Sequence, residues 1–168
     1  MSENALTFWD DIANPLDIVE DVLNTHEWIF SRQNEDELCV EIEGENGQYR
    51  LIFIWQEEYG ALQICAQMDH ALTATQKLQL APIIMDFNSK MWLGHFDILG
   101  DIPYPCFRYT YLLQNTSIEL GMEQINDLVE TALKECERFD PILKMALATG
   151  VGQTDQWSLL MTEHKGAA

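Results

Sequence analysis

His95 and Asp97 stand two residues apart in NSKMWLGHFDI, the stretch from Asn88 to Ile98. If that stretch enters a strand, both side chains leave the same face about 7 Å apart. After the turn GDIPYP, the returning segment CFRYTYLLQ brings Arg108 toward them. A histidine and a carboxylate on one face could serve general acid–base chemistry. A working site asks for more: a nucleophile, an oxyanion hole or a further carboxylate. None of these accompanies the pair in the sequence. An aspartate facing an arginine across two strands is an ordinary ion pair of a solvated sheet. That plainer reading is preferred. The His95/Asp97/Arg108 face is kept as the alternative, a small-molecule sensor or an enzyme.

Other chemistry-bearing residues are scattered. His70 follows QMD with only Asp69 beside it, and His26 lies just past a helical segment. GVGQTD, near Gly150, lacks the lysine and the preceding strand of a phosphate loop. Cys39, Cys65, Cys106 and Cys136 never form a C-x-x-C pair, so neither a zinc site nor a redox motif is expected. They read as free thiols serving as small apolar residues. No catalytic, cofactor or metal residue is assigned.

Charge narrows the partners. The 168 residues hold 28 acidic and 9 basic side chains, a net charge of -19. Nucleic acid and anionic membrane both ask for a basic face, so neither is expected. Acidic surface favours solubility and attracts basic protein segments. The first residues carry no signal-peptide pattern and no stretch has the length of a membrane span. A cytoplasmic protein is expected.

The elements that would position these residues follow from pattern. NPLDIVEDVL starts a helix, with Asn14 as cap, Pro15 in the first turn and a stripe of Leu16, Val19, Val22 and Leu23. Four strands follow. A two-residue turn at Asn46-Gly47 would set Val40 opposite Phe53 and Ile42 opposite Leu51. A turn at Tyr59-Gly60 would set Phe53 opposite Ala66, and one at Asn34 to Asp36 would set Phe30 opposite Val40 and Trp28 opposite Ile42. All three put one apolar set on a single face. The other face is mixed, with Ile29, Ile52 and Ile54 among Cys39, Glu41, Arg50, Gln63 and Cys65. A second helix is expected from about Thr75 to Trp92. Leu80, Ile83, Ile84 and Phe87 form its main stripe, Leu78, Met85 and Trp92 a second, and Pro82 predicts a kink or late start. A strand pair then sets Asp97 against Arg108 and His95 against Thr110. The last helix begins near Met122 and breaks at Asp140-Pro141, with Asp140 capping a short second piece. Residues 1–149 form one domain, and 150–168 read as a mobile tail that could cover apolar surface.

FNSKMWLGHFDI followed by FRYTYLL resembles the YbjN-domain family, with Asn88, Trp92, Leu93, Gly94, His95, Phe96, Phe107 and Arg108 at the matching positions. The resemblance covers about Asn14 to Thr149, with Pro82 departing from the pattern. It implies an α+β fold like that of type III secretion chaperones, an antiparallel sheet in the order α-β-β-β-β-α-β-β-α. The turns read independently give the same order. The family carries the label of a sensory transduction regulator and brings no catalytic residues. The expected function is a non-enzymatic, protein-binding module, chaperone-like or regulatory. The expected partner is a protein, with a homodimer formed through Leu78, Met85 and Trp92 or through Ile29, Ile52 and Ile54.

Overall fold

The computed structural model describes residues 14–98, 100–113 and 118–149. The reading of 150–168 as a mobile tail falls outside them. Helix α1 (Leu16–Thr25) is followed by strands β1 (Phe30–Asn34), β2 (Glu37–Glu43), β3 (Gln48–Gln56) and β4 (Ala61–Met68). Helix α2 (Ala74–Asn88), strands β5 (His95–Ile98) and β6 (Pro105–Leu112), and helix α3 (Ile118–Thr149) complete the order. The six strands form one antiparallel sheet in the order β1-β2-β3-β4-β6-β5. This is an α+β fold with the expected element order.

Alternation decides which face is covered. Leu38, Val40, Leu51, Phe53, Leu62, Ile64, Met68, Phe96 and Phe107 all point to one side and are buried. The buried stripes of the three helices join them in a single core. Val19, Val22 and Leu23 come from α1, Leu80, Ile83, Ile84 and Phe87 from α2, and Ile125, Val129, Ala132 and Phe139 from α3. At roughly 25 cal/mol per Å² of apolar surface removed from water, these side chains are the main stabilising term. Asn14 Oδ1 accepts from the Leu16 N–H at 2.9 Å at the head of α1. Thr73 and Gln76 close a capping box at the head of α2, and Arg32 pins β1 to α1 through Asp17 and Glu20.

The faces came out as expected, but three registers did not. Val40 pairs with Leu51, Ile42 with Tyr49 and Leu38 with Phe53. Phe53 pairs with Ile64, and His95 pairs with Arg108, with Asp97 opposite Cys106. Each pairing moves by two residues on one strand, which keeps every side chain on its face. Phe30 does pair with Val40, but the β1 ladder begins there and Trp28 has no strand partner.

The cause is clearest at the β2–β3 turn. It centres on Glu45 and Asn46, with the Gly44 N–H donating to the Gly47 carbonyl at 2.8 Å, and Gly47 does not take positive φ. Helix α3 holds it there. The Glu137 carboxylate accepts from the N–H groups of Glu45 and Asn46 at 2.7 and 2.9 Å. The Asn46 side chain donates to the Glu137 carbonyl at 3.3 Å, and Lys144 donates to the Asn46 carbonyl. Tertiary acceptors here override the local Asn-Gly preference.

The helices differ from expectation in two places. Helix α3 runs through Pro141 without ending, and Asp140 is not a cap but a buried carboxylate. Proline has no N–H to give the carbonyl four residues back. That carbonyl belongs to Glu137, and Asn46 is its donor instead. Helix α2 carries Pro82 in its interior and stops at Asn88, so Trp92 lies beyond it.

Candidate functional site

Every described helix packs on one side of the sheet, so among the described residues no helix lies on the opposite face. Across its middle run Cys39, Ile52, Cys65, Arg108 and His95, and beside them Glu41, Arg50, Gln67, Cys106 and Asp97. The expected mixed face is therefore one surface reaching all the way to β5. Ile52 and Ile54 are half-buried on it. The Arg108 guanidinium donates to Asp97 at 3.2 Å and to Gln63 Oε1 at 3.0 Å. Gln63 in turn donates to Thr110 at 2.7 Å. Asp97 thus reaches Arg108 diagonally rather than directly across.

This arrangement holds an ion pair and an amide, with no activated oxygen nucleophile and no oxyanion hole. His95 is exposed and has no hydrogen-bonded carboxylate among the described residues. Its replacement by alanine is expected to change stability by less than about 0.5 kcal/mol on urea unfolding. A loss of several kcal/mol would mean a bonded, structural histidine.

Two clefts of about 370 Å³ each lie among the described residues, one at the end of this face and one between helices. One is lined by Glu41, Glu43, Arg50, Gln67, Asp69 and Tyr104, the other by residues of α1 and α3. Neither includes His95, Asp97 or Arg108. Among the described residues no group of three or more metal-ligating side chains converges. The four cysteines are free and buried.

The motif residues divide by role. Asn88 ends α2 and turns its amide onto the edge strand: Nδ2 donates to the Phe96 carbonyl at 2.9 Å and Oδ1 accepts from the Phe96 N–H at 2.8 Å. The side chain thus takes the place of a missing strand neighbour. Asn88→Ala is expected to cost about 2 kcal/mol by urea unfolding, because two partly buried backbone groups lose their partners. Asn88→Asp should not restore it, since a carboxylate cannot donate to the Phe96 carbonyl. Gly94 takes φ +65 where the chain turns into β5. Phe96 and Phe107 are core, packed edge-to-face at 5.5 Å. Trp92 is 98% exposed, with Leu78, Met85 and Ile29 also exposed. Leu78 and Met85 lie two turns apart on the outer side of α2 and are exposed, while Trp92, expected in the same stripe, lies beyond the helix.

Two residues gain partners that the sequence did not disclose. His70 Nε2 meets Asp140 Oδ1 at 2.8 Å, and Lys144 meets the other Asp140 oxygen at 2.6 Å. His26 bonds Asn126 at 2.8 Å and stacks on Trp28. Separations of 70 and 100 residues leave no local signal for either.

A six-stranded antiparallel sheet with the three described helices packed on one side defines an α+β protein. The sequence profile of the YbjN family, described as "Putative bacterial sensory transduction regulator", matches residues 15–145. The chain belongs to that family. Among solved structures it is similar to one titled "Crystal structure of YbjN, a putative transcription regulator from E. coli". The identity is 13% and the TM-score 0.48, with 73% of this chain and 90% of that chain covered. No curated protein sequence matches the chain. Among the described residues no helix is long and apolar enough to cross a membrane.

Proposed function

We propose that this chain is a protein-binding module, chaperone-like or regulatory in the manner of a type III secretion chaperone, acting in the cytoplasm without catalysis. The observation that carries this reading is a set of exposed apolar side chains, Leu78 and Met85 on the outer side of α2 and Trp92 beyond its end. Large apolar side chains grouped on one surface mark interaction sites. The open sheet face adds Ile52 and Ile54 and offers an incoming segment a flat, partly apolar platform. The abundance of carboxylates favours a basic segment as partner. A second copy of the chain is the simplest occupant of the α2 patch.

Sedimentation equilibrium of the full chain, with and without the triple substitution Leu78→Ser, Met85→Ser and Trp92→Ser, tests the self-association. A concentration-dependent dimer that the triple variant abolishes supports it. A monomer at all concentrations removes the homodimer. Partner capture from native lysate by the wild type, lost in the same variant while its circular dichroism is unchanged, supports the wider reading. Equal capture by both proteins overturns the assignment of the α2 surface.

A further inference from the structure

Three of the four cysteines lie on the sheet face away from the described helices, and their surroundings are unequal. Cys65 on β4 stands directly opposite Arg108 on β6, and Cys106 is the next residue of β6 on the same face. Cys65 Sγ is 3.5 Å from Gln63 Oε1, which also accepts from Arg108. Arg108 Nε is buried and has no hydrogen-bond acceptor among the described residues. The site thus collects a thiol, a neighbouring S–H donor and a guanidinium with a donor to spare. No described helix covers it.

We propose that Cys65 is a nucleophilic thiol, a site of oxidation by small hydroperoxides, supported by Cys106 and Arg108. The two thiols are drawn in opposite directions. Hydrogen bonding from Cys106 lowers the Cys65 pKa first, opposed by burial and helped by the Arg108 charge. The same interaction, with burial, raises Cys106. Cys106 therefore stays protonated and can turn its S–H from the Phe107 carbonyl, 3.4 Å away, to a Cys65 thiolate. Other polar and charged groups facing Cys65 are Arg50 diagonally on β3, Gln63 and Gln67 on its own strand, and His95 and Asp97 on β5 beyond Arg108. Of these, the Asp97 charge opposes ionisation.

The reaction balances with the peroxide as the only oxidant. The thiolate sulfur attacks one peroxide oxygen; the S–O bond forms as the O–O bond breaks. Sulfur gives up two electrons, the second oxygen leaves as hydroxide from hydrogen peroxide or as alkoxide from an alkyl hydroperoxide, and solvent protonates it to water or the alcohol. The product is a sulfenic acid. Dimedone present during the oxidation captures the sulfenic acid before it condenses with a second thiol.

The test treats the full chain with substoichiometric hydrogen peroxide and dimedone at pH 7, followed by peptide mapping. Cys39 is an internal control. It lies on the same face, is 8% exposed against 5% for Cys65, and has Arg50 at 3.8 Å, but no neighbouring thiol. The expected result is a dimedone adduct on Cys65 at least ten-fold above that on Cys39, falling several-fold in Cys106→Ala. Equal labelling of Cys65 and Cys39, no labelling of Cys65, or labelling unchanged in Cys106→Ala would each overturn the proposal. If Cys106→Ala does not fold, the wild-type pH profile decides. Half-maximal labelling of Cys65 below the roughly 8.5 of a free thiol supports the proposal, and a midpoint at or above it overturns it.

Discussion

Replacing Asp140 with alanine is expected to destabilise the protein by about 3 kcal/mol, measured as the shift in urea unfolding. Asp140 is 1% exposed and is shared by His70 and Lys144. Burying a carboxylate is costly, and the hydrogen bond to His70 and the ion pair with Lys144 offset that cost in the folded state. Alanine removes the bonds and leaves a gap against Gly47, where Asp140 Oδ1 lies 3.0 Å from the position a Cβ would take. The tightly packed neighbourhood also affects Tyr49, whose phenol pKa burial pushes far up, with the charges of Asp140 and Glu137 adding to the rise. Lys144→Ala should cost under about 1 kcal/mol, because that side chain is half exposed and its ion pair is screened. Equal costs for the two substitutions would mean that the ion pair with lysine, not the buried network, holds the helix in place.

The second large effect is expected at Gly94. Its φ of +65 suits glycine, and an alanine there carries a backbone penalty of roughly 1–2 kcal/mol. The added Cβ would meet the Phe107 ring at 2.4 Å and the Arg108 carbonyl oxygen at 2.8 Å. Neither can give way easily. Phe107 is fully buried against Phe96, and the carbonyl belongs to the β6 backbone. Overpacking of this kind costs a further 1–3 kcal/mol or so. Gly94→Ala should therefore lose about 3 kcal/mol, lowering Tm by roughly 6–12 °C in a chain of this size. Gly100→Ala is the control, since nothing lies within 4 Å of its added Cβ. A Tm for Gly94→Ala matching that of Gly100→Ala would refute the clash.

These two sites mark the limits of what the sequence discloses. Gly94 was legible as a turn residue because a glycine between a helical and an extended segment has few other uses. The core face was legible because a period of two survives any shift by two residues, as Val40, Phe53 and Leu51 illustrate. The absolute register was not, because Glu137 and Lys144 set the β2–β3 turn from far along the chain. Asp140-Pro141 read as a helix break because its acceptor network, with His70 and the Asn46 turn, is invisible locally. Asn88 was picked out by its motif, but its bonds to Phe96 needed the geometry. On the candidate site, the mixed face with Ile52 and Ile54 was foreseen, while Ile29 falls just outside the sheet. The gathering of Cys65, Cys106 and Arg108 was not, because the adjacency of β4 to β6 cannot be read from turns.

The proline-freed carbonyl of Glu137 also bears on how the chain acquires its fold during synthesis. The β2–β3 turn emerges from the ribosome long before the helix that finishes it, since its partners lie 91 to 98 residues downstream. At about 5–20 residues per second, the hairpin waits on the order of 5 to 20 s for Glu137 and Lys144. Until then Asn46-Gly47 is free to form the tighter turn that its own residues prefer. The nascent hairpin can therefore hold a register two residues out of step, with every side chain on the correct face. Docking of the last helix then acts as a proofreading step, selecting one register from two that hydrophobic burial alone barely distinguishes.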